Sequence, residues 1–192
     1  DKISIDSMIS LMTKDQSMSS HRLGFEDLGY ENGILHSLHR PFSNDEETMI
    51  ETWLAPLGGM HVRVHKVTLA REYYVKEGGF SLGRWDDYKP KKIGKNLIAV
   101  ENHEYISVIM AVSSVALRFC TEDPQAGYHL YAPLATYPMY ITEELLQPGN
   151  YIFASACAVG KKPSEMELPK LKITQMGVEI ISRGKKIFIQ TK

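Results

Sequence analysis

The sequence predicts an antiparallel β-sandwich, and three observations predict it. From Met18 onward apolar residues recur with a period of two, the spacing that puts alternate side chains on one face of a strand. Gly, Pro, Asn and Asp interrupt these runs at short intervals, as turns between strands require. The 192 residues are 43% hydrophobic and 23% charged, close to the globular average, which suffices for one large β domain with a sizeable core.

At the start, Ile5, Met8, Ile9 and Met12 stand at helical spacing behind Ser4 and Asp6, so one short N-terminal helix is expected. Glu46 to Ala55 reads as a strand, and Pro56-Leu57-Gly58-Gly59 as the turn after it. Met60 to Thr68 is the clearest strand, with Met60, Val62 and Val64 on one face and His61, Arg63 and His65 on the other. Arg71 to Lys76 follows and ends at Gly78-Gly79. Turns this short suggest that the three strands form an antiparallel meander. Lys95 to Val100 and Tyr105 to Leu117 form the next pair around Glu101-Asn102-His103. The second of these is almost continuously apolar, as expected of a strand buried on both faces. Tyr137 to Thr142 is another strand, and Pro148-Gly149-Asn150 turns the chain into Tyr151 to Val159. Lys161 to Pro169 reads as a surface loop. Lys172 to Ile181, Arg183-Gly184-Lys185 and Lys186 to Gln190 form a final hairpin. Neither a repeat nor a domain boundary is visible, so residues 1–192 are expected to form a single β-sandwich domain packed as two sheets.

The composition narrows the function. A net charge of -1 argues against a nucleic-acid partner, whose binding rests on an excess of Lys and Arg. The longest apolar run, Val108 to Leu117, is too short to span a membrane as a helix. The chain opens with Asp1, which suggests processing or excision from a larger protein. Cys120 and Cys157 fall in different expected strands, and both readings stay open: two buried thiols, or a disulfide. Neither has a zinc-type partner pattern, and no metal or other cofactor is expected. Nor is there a Gly-x-Ser-x-Gly, a His-Glu-x-x-His or a phosphate loop.

His61, Arg63 and His65 form the most pointed constellation. About 13 Å separates the two histidines along a strand, which is poor for a metal. Arg63 between them offers bidentate contacts to carboxylate or sulfate, so the rib suits an anion. A solvated polar face, or one covered by a neighbouring domain, is the other reading. Trp53, Trp85, Tyr73, Tyr74 and Tyr30 are candidates to stack on sugar rings, or else they fill the core and pair across strands. Trp85 is the better candidate because Gly83-Arg84-Trp85-Asp86-Asp87 reads as a loop. The candidate substrate-binding residues are therefore His61, Arg63, His65, Trp85 and Tyr73, with no catalytic residue assigned.

Four segments carry a resemblance: Met18-Ser-Ser-His-Arg-Leu-Gly-Phe25, Glu51-Thr-Trp-Leu-Ala-Pro56, Gly59-Met-His-Val-Arg-Val-His65 and Glu77-Gly-Gly-Phe-Ser-Leu82. This block, roughly Met18 to Leu82, resembles the C-terminal β domain of bacterial proteins related to heparinase II/III. In particular it is similar to a family that joins an N-terminal α/α toroid to such a domain. The resemblance implies that the main catalytic cleft lies in a helical toroid and that this domain packs against it. It also implies a bacterial envelope or periplasmic setting. Three functions follow as expectations. The first is an accessory β domain of a carbohydrate-active protein, inactive alone and partnered by the toroid. The second is a free-standing module for anionic polysaccharides, and the third a complete polysaccharide lyase.

Overall fold

Among the described residues the alternation is realised mostly as strand. The computed structural model describes residues 9–13, 26–78, 89–101, 105–122, 137–142, 145–162, 166–168 and 170–191, and no helix occurs among them. The strands are β1 (Ile9–Met12), β2 (Asp27–Glu31), β3 (Ile34–His39), β4 (Met49–Leu57), β5 (Met60–Leu69), β6 (Tyr74–Gly78), β7 (Lys89–Gly94) and β8 (Leu97–Glu101). They continue as β9 (Ile106–Ser113), β10 (Arg118–Glu122), β11 (Tyr137–Ile141), β12 (Gly149–Gly160), β13 (Lys170–Ile173), β14 (Gly177–Ser182) and β15 (Lys185–Gln190). Every pairing among the described residues is antiparallel.

An eight-stranded sheet, ordered β2-β3-β4-β5-β12-β9-β8-β7, is the centre of the fold. A four-stranded sheet, β1-β6-β11-β10, and a three-stranded sheet, β13-β14-β15, complete it. One face of the large sheet meets the small one: Val62, Val64, Ala154 and Ala156 pack against Val178, Ile180 and Ile189. The opposite face meets the four-stranded sheet: Val67, Leu69 and Phe153 pack with Ile9, Leu11 and Val75. β5 and β12 are thus buried on both faces, which opposes the usual half-polar reading of a period-two pattern.

Two-residue turns close three hairpins. Asn32-Gly33, Gly58-Gly59 and Arg183-Gly184 all have positive φ at both positions, the geometry that matches strand twist in a tight hairpin. Edge strand β7 carries Pro90, Lys91 and Lys92, and such residues discourage pairing with another chain.

Several sequence expectations need correction. Ile9–Met12 is not part of a helix. It pairs with β6, sending Ile9 and Leu11 into the core, and a segment this short cannot sustain a helix without tertiary support. Residues 1–8 lie outside the described residues. The meander stops after two strands: β6 crosses to the four-stranded sheet, and β12 takes the place beside β5 with a ten-pair register. A ladder of that length outweighs the proximity a short turn gives β6. Lys172 to Ile181 is two strands. The Thr174 amide and hydroxyl both donate to the Gly177 carbonyl, at 2.8 and 3.0 Å, and turn the chain between them. Strands β2, β3, β7 and β10 go beyond those expected. Cys157 is a free, buried thiol, so the disulfide reading is set aside.

Candidate functional site

The odd-numbered residues of β5 run from solvent to the deepest part of the molecule. His61 is exposed at one end, and Val67 and Leu69 are core residues at the other. Between them lie Arg63 and His65, both buried. The expected rib is therefore no open polar face. The four-stranded sheet covers it, because Glu77 on β6 points back across the gap. Arg63 Nη2 donates to Glu77 Oε1 at 3.3 Å, and both side chains are 1% exposed.

This ion pair sits in a polar pocket within the core. Ser155 on β12 stands opposite Arg63, and Phe153 opposite His65. His65 Nδ1 shares a 2.8 Å hydrogen bond with the Thr52 hydroxyl on β4. His65 Nε2 is buried with no hydrogen-bond partner among the described residues, and the Ser155 hydroxyl faces the Glu77 carboxylate. Burial pushes the Glu77 carboxyl above its usual range, and the Arg63 charge opposes that shift. Burial, helped by the Arg63 charge, holds the His65 imidazole well below the usual histidine range, so it is neutral at pH 7. Cys157, on the same face of β12, has its thiol pushed up to about 11 by burial.

Tyr73 occupies a second buried network. Its hydroxyl donates to Asp45 Oδ2 at 2.6 Å and accepts from Arg71 Nε at 2.8 Å, while its ring stacks on Phe42. The Thr48 hydroxyl also donates to Asp45 Oδ2, and the Ala70 amide donates to Thr48. Burial would raise the Asp45 pKa. The Thr48 and Tyr73 hydroxyls, the Thr48 amide and Arg71 reverse this and hold it below its usual value. Tyr73 thus ties the β3–β4 connection to the β5–β6 connection. It offers no ring face to a sugar, and Trp85 lies outside the described residues.

The structure thus joins Arg63 and His65 in one buried neighbourhood, leaves His61 at its exposed end, and places Tyr73 in a separate network. The Tyr73 hydroxyl and His65 Nδ1 are both committed to protein partners, so neither is presented as an acid or base to a substrate. No group of three or more His, Cys, Asp and Glu is arranged for a metal among the described residues. Glu77 is the member that sequence reasoning missed. Its only signal is an acidic residue two positions after Val75, flanked by Lys76 and Gly78, in a short strand, which also describes surface glutamates.

Outward from Arg63 along the same face the cover ends. Leu54 on β4, Leu35 on β3 and Tyr30 on β2 follow in register, with Leu28 beside them. Leu54, Leu28 and Tyr30 are exposed, Tyr30 by 75%. Trp53 points to the other face, half-buried, with its ring stacked on His36 at 4.7 Å.

No known family model matches the sequence, and no curated protein matches it. Solved structures do match its fold. A heparinase III gene product superimposes with a TM-score of 0.67 over 97% of this chain and 30% of its own, at 9% identity. A heparan sulfate lyase from Pedobacter heparinus gives 0.65 over 97% of this chain and 30% of its own, at 12% identity. A further heparinase III gives 0.60 over 95% and 27%, at 10% identity. The chain spans about 30% of the length of these proteins. At such low identity the likeness is one of fold, and the fold is that of the β domain of heparinase III-related proteins, as the segments between Met18 and Leu82 implied.

Proposed function

We propose that the chain is the accessory β domain of a polysaccharide-lyase-related protein and packs against a helical domain of that protein. The observation that carries the reading is the match of nearly the whole chain to under a third of each heparinase III chain. The exposed row of Leu28, Tyr30 and Leu54 supplies a surface for that packing. Leu54 stands opposite Arg63, so the row adjoins the Arg63–Glu77 pair.

The complete-lyase reading is disfavoured by the chemistry of the site. β-Elimination needs a base and an acid that reach the substrate, and His65 and Tyr73 are buried in the core, out of a substrate's reach. The test compares this chain with its full-length gene product on heparan sulfate and on polyuronates, following formation of the unsaturated uronate product. Activity in the full-length protein and none in residues 1–192 is the expected result. Turnover by the chain alone, or a gene product without a helical domain, would overturn the proposal.

A further inference from the structure

Charge is unevenly spread along this nearly neutral chain. Residues 89–95 and 170–191 hold nine of the 22 Lys and Arg but one of the 23 Asp and Glu. The remainder of the chain is correspondingly acidic.

The fold brings these two segments to one side. The small sheet lies on the face of the large sheet that carries Val62 and Val64, and β13 contacts β9. β8 and edge strand β7 follow β9 in order. Lys91 on β7 stands opposite Ala99, which stands opposite Val108, Ala158 and then Met60. That register puts Lys91 on the face bearing Val62 and Val64. The outward face of the small sheet carries two cross-strand rows: Lys172, Glu179 and Phe188, then Lys170, Ile181 and Lys186. Lys185 and Arg183 extend the positive charge around the β14–β15 turn. The one acidic residue, Glu179, is held by Lys186 at 2.8 Å, and the Lys186 side chain stays 59% exposed.

Protection of sheet edges accounts for part of this pattern, since β7, β13 and β15 are all edge strands. Protection needs charge of either sign, however, and here lysine predominates, with Glu179, Glu167 at the Arg183 amide and Glu101 opposite Lys89 as the acidic residues beside it. It also gives no reason for Phe188 and Ile181, 45% and 36% exposed, to stand among the lysines.

We infer that the outer face of β13-β14-β15, continued by β7, binds a linear acidic polysaccharide. Its lysines meet carboxylate or sulfate groups, and Phe188 packs under the apolar C–H face of a sugar ring. Lys170 and Lys172 are about 7 Å apart along the strand, and β13 and β15 about 10 Å apart across the sheet. An extended polymer crossing these rows meets Lys170, Lys172 and Lys186. Nucleic acid fits less well. Single-strand binders stack successive bases on several aromatics, and Phe188 is the sole aromatic in these two segments. The inference takes the polymer class from the carbohydrate reading above, but its surface is separate from the Leu28–Tyr30–Leu54 row.

Titration calorimetry on residues 1–192 tests it with heparin, polygalacturonate and a single-stranded oligothymidylate, at low and at physiological salt. The chain should bind at least one of the two polysaccharides, more weakly as salt rises. Lys170→Glu/Lys172→Glu/Lys186→Glu should weaken that binding roughly 10-fold or more, because each lysine neutralises a charge on the polymer. The milder Lys→Gln set at the same positions should lose part of it, and Phe188→Ala several-fold. Arg118→Glu on β10, in the four-stranded sheet, should leave binding unchanged. No polysaccharide binding at low salt, equal binding by the Lys→Gln set, or tighter binding of the oligonucleotide would each overturn the inference. Because no turnover is measured, it fails or stands independently of the accessory-domain proposal.

Discussion

Arg63 and Glu77 face each other across the gap between two sheets, each excluded from water. Burying such a pair costs several kcal/mol per ion, which their attraction repays only with good geometry. Breaking it is another matter, because one charge is then left alone in the core. Arg63→Met should lower unfolding stability by about 3 kcal/mol or more, and Arg63→Met/Glu77→Leu should restore most of that loss. Urea titration of the two variants measures both, and an equal loss in each would show that the pair matters through packing alone. His65 links the same neighbourhood to pH. Its folded pKa lies well below the unfolded value near 6.5, so the unfolded state binds the extra proton first as pH falls. Stability drawn from His65 is therefore complete above pH 6.5 and declines below it, by up to about 1.4 kcal/mol per pH unit. Glu77, with a raised pKa, acts in the opposite direction over a window that begins near 4.5. The comparison of wild type with His65→Asn isolates the histidine. The stability gap between them should change progressively between pH 6.5 and 5, and a constant gap would refute the assignment.

At the scale of elements, the turns were the best-signalled parts. Gly58-Gly59 and Arg183-Gly184 announce their hairpins because few residues tolerate positive φ at both central positions. Asn32-Gly33 carries the same signal for β2–β3, although β2 itself is exposed throughout and short of apolar residues. The small sheet depends on one glycine. A Cβ on Gly177 would lie 2.0 Å from the Ile189 carbonyl oxygen, a backbone atom that cannot swing aside. Gly177→Ala should therefore cost about 3 kcal/mol and loosen β13–β15 first. Amide exchange resolves this: protection should fall across Gly177–Gln190 before β5 and β12 are affected, and uniform loss would mean that the small sheet has no separate stability. If the polysaccharide lies on this sheet, the same variant should lose binding while its large sheet stays folded.

For the whole molecule, what matters is which faces are covered. One face of the large sheet is covered at its centre by β13–β15. Its opposite face is covered at the centre, while Leu28, Tyr30 and Leu54 are exposed toward the β2 edge. Tyr30→Ser/Leu54→Ser should leave the stability of residues 1–192 within about 0.5 kcal/mol, as expected for exposed positions. In the full-length protein the same pair should hasten proteolytic separation of this domain from the rest. Unchanged proteolysis would remove this surface as the docking face.

The strand identity of most of the chain, three tight hairpins and the rich supply of core residues were determined by the sequence itself, because alternation and turn geometry are local properties of the backbone. The partner of each strand was not. β6 follows β5 after a short connection yet belongs to another sheet, and β12, some eighty residues further on, takes the place beside β5. Polarity misled in the same way at Arg63 and His65. A period-two pattern says which residues share a face, and only tertiary packing decides whether that face meets water, another sheet or the carboxylate of Glu77.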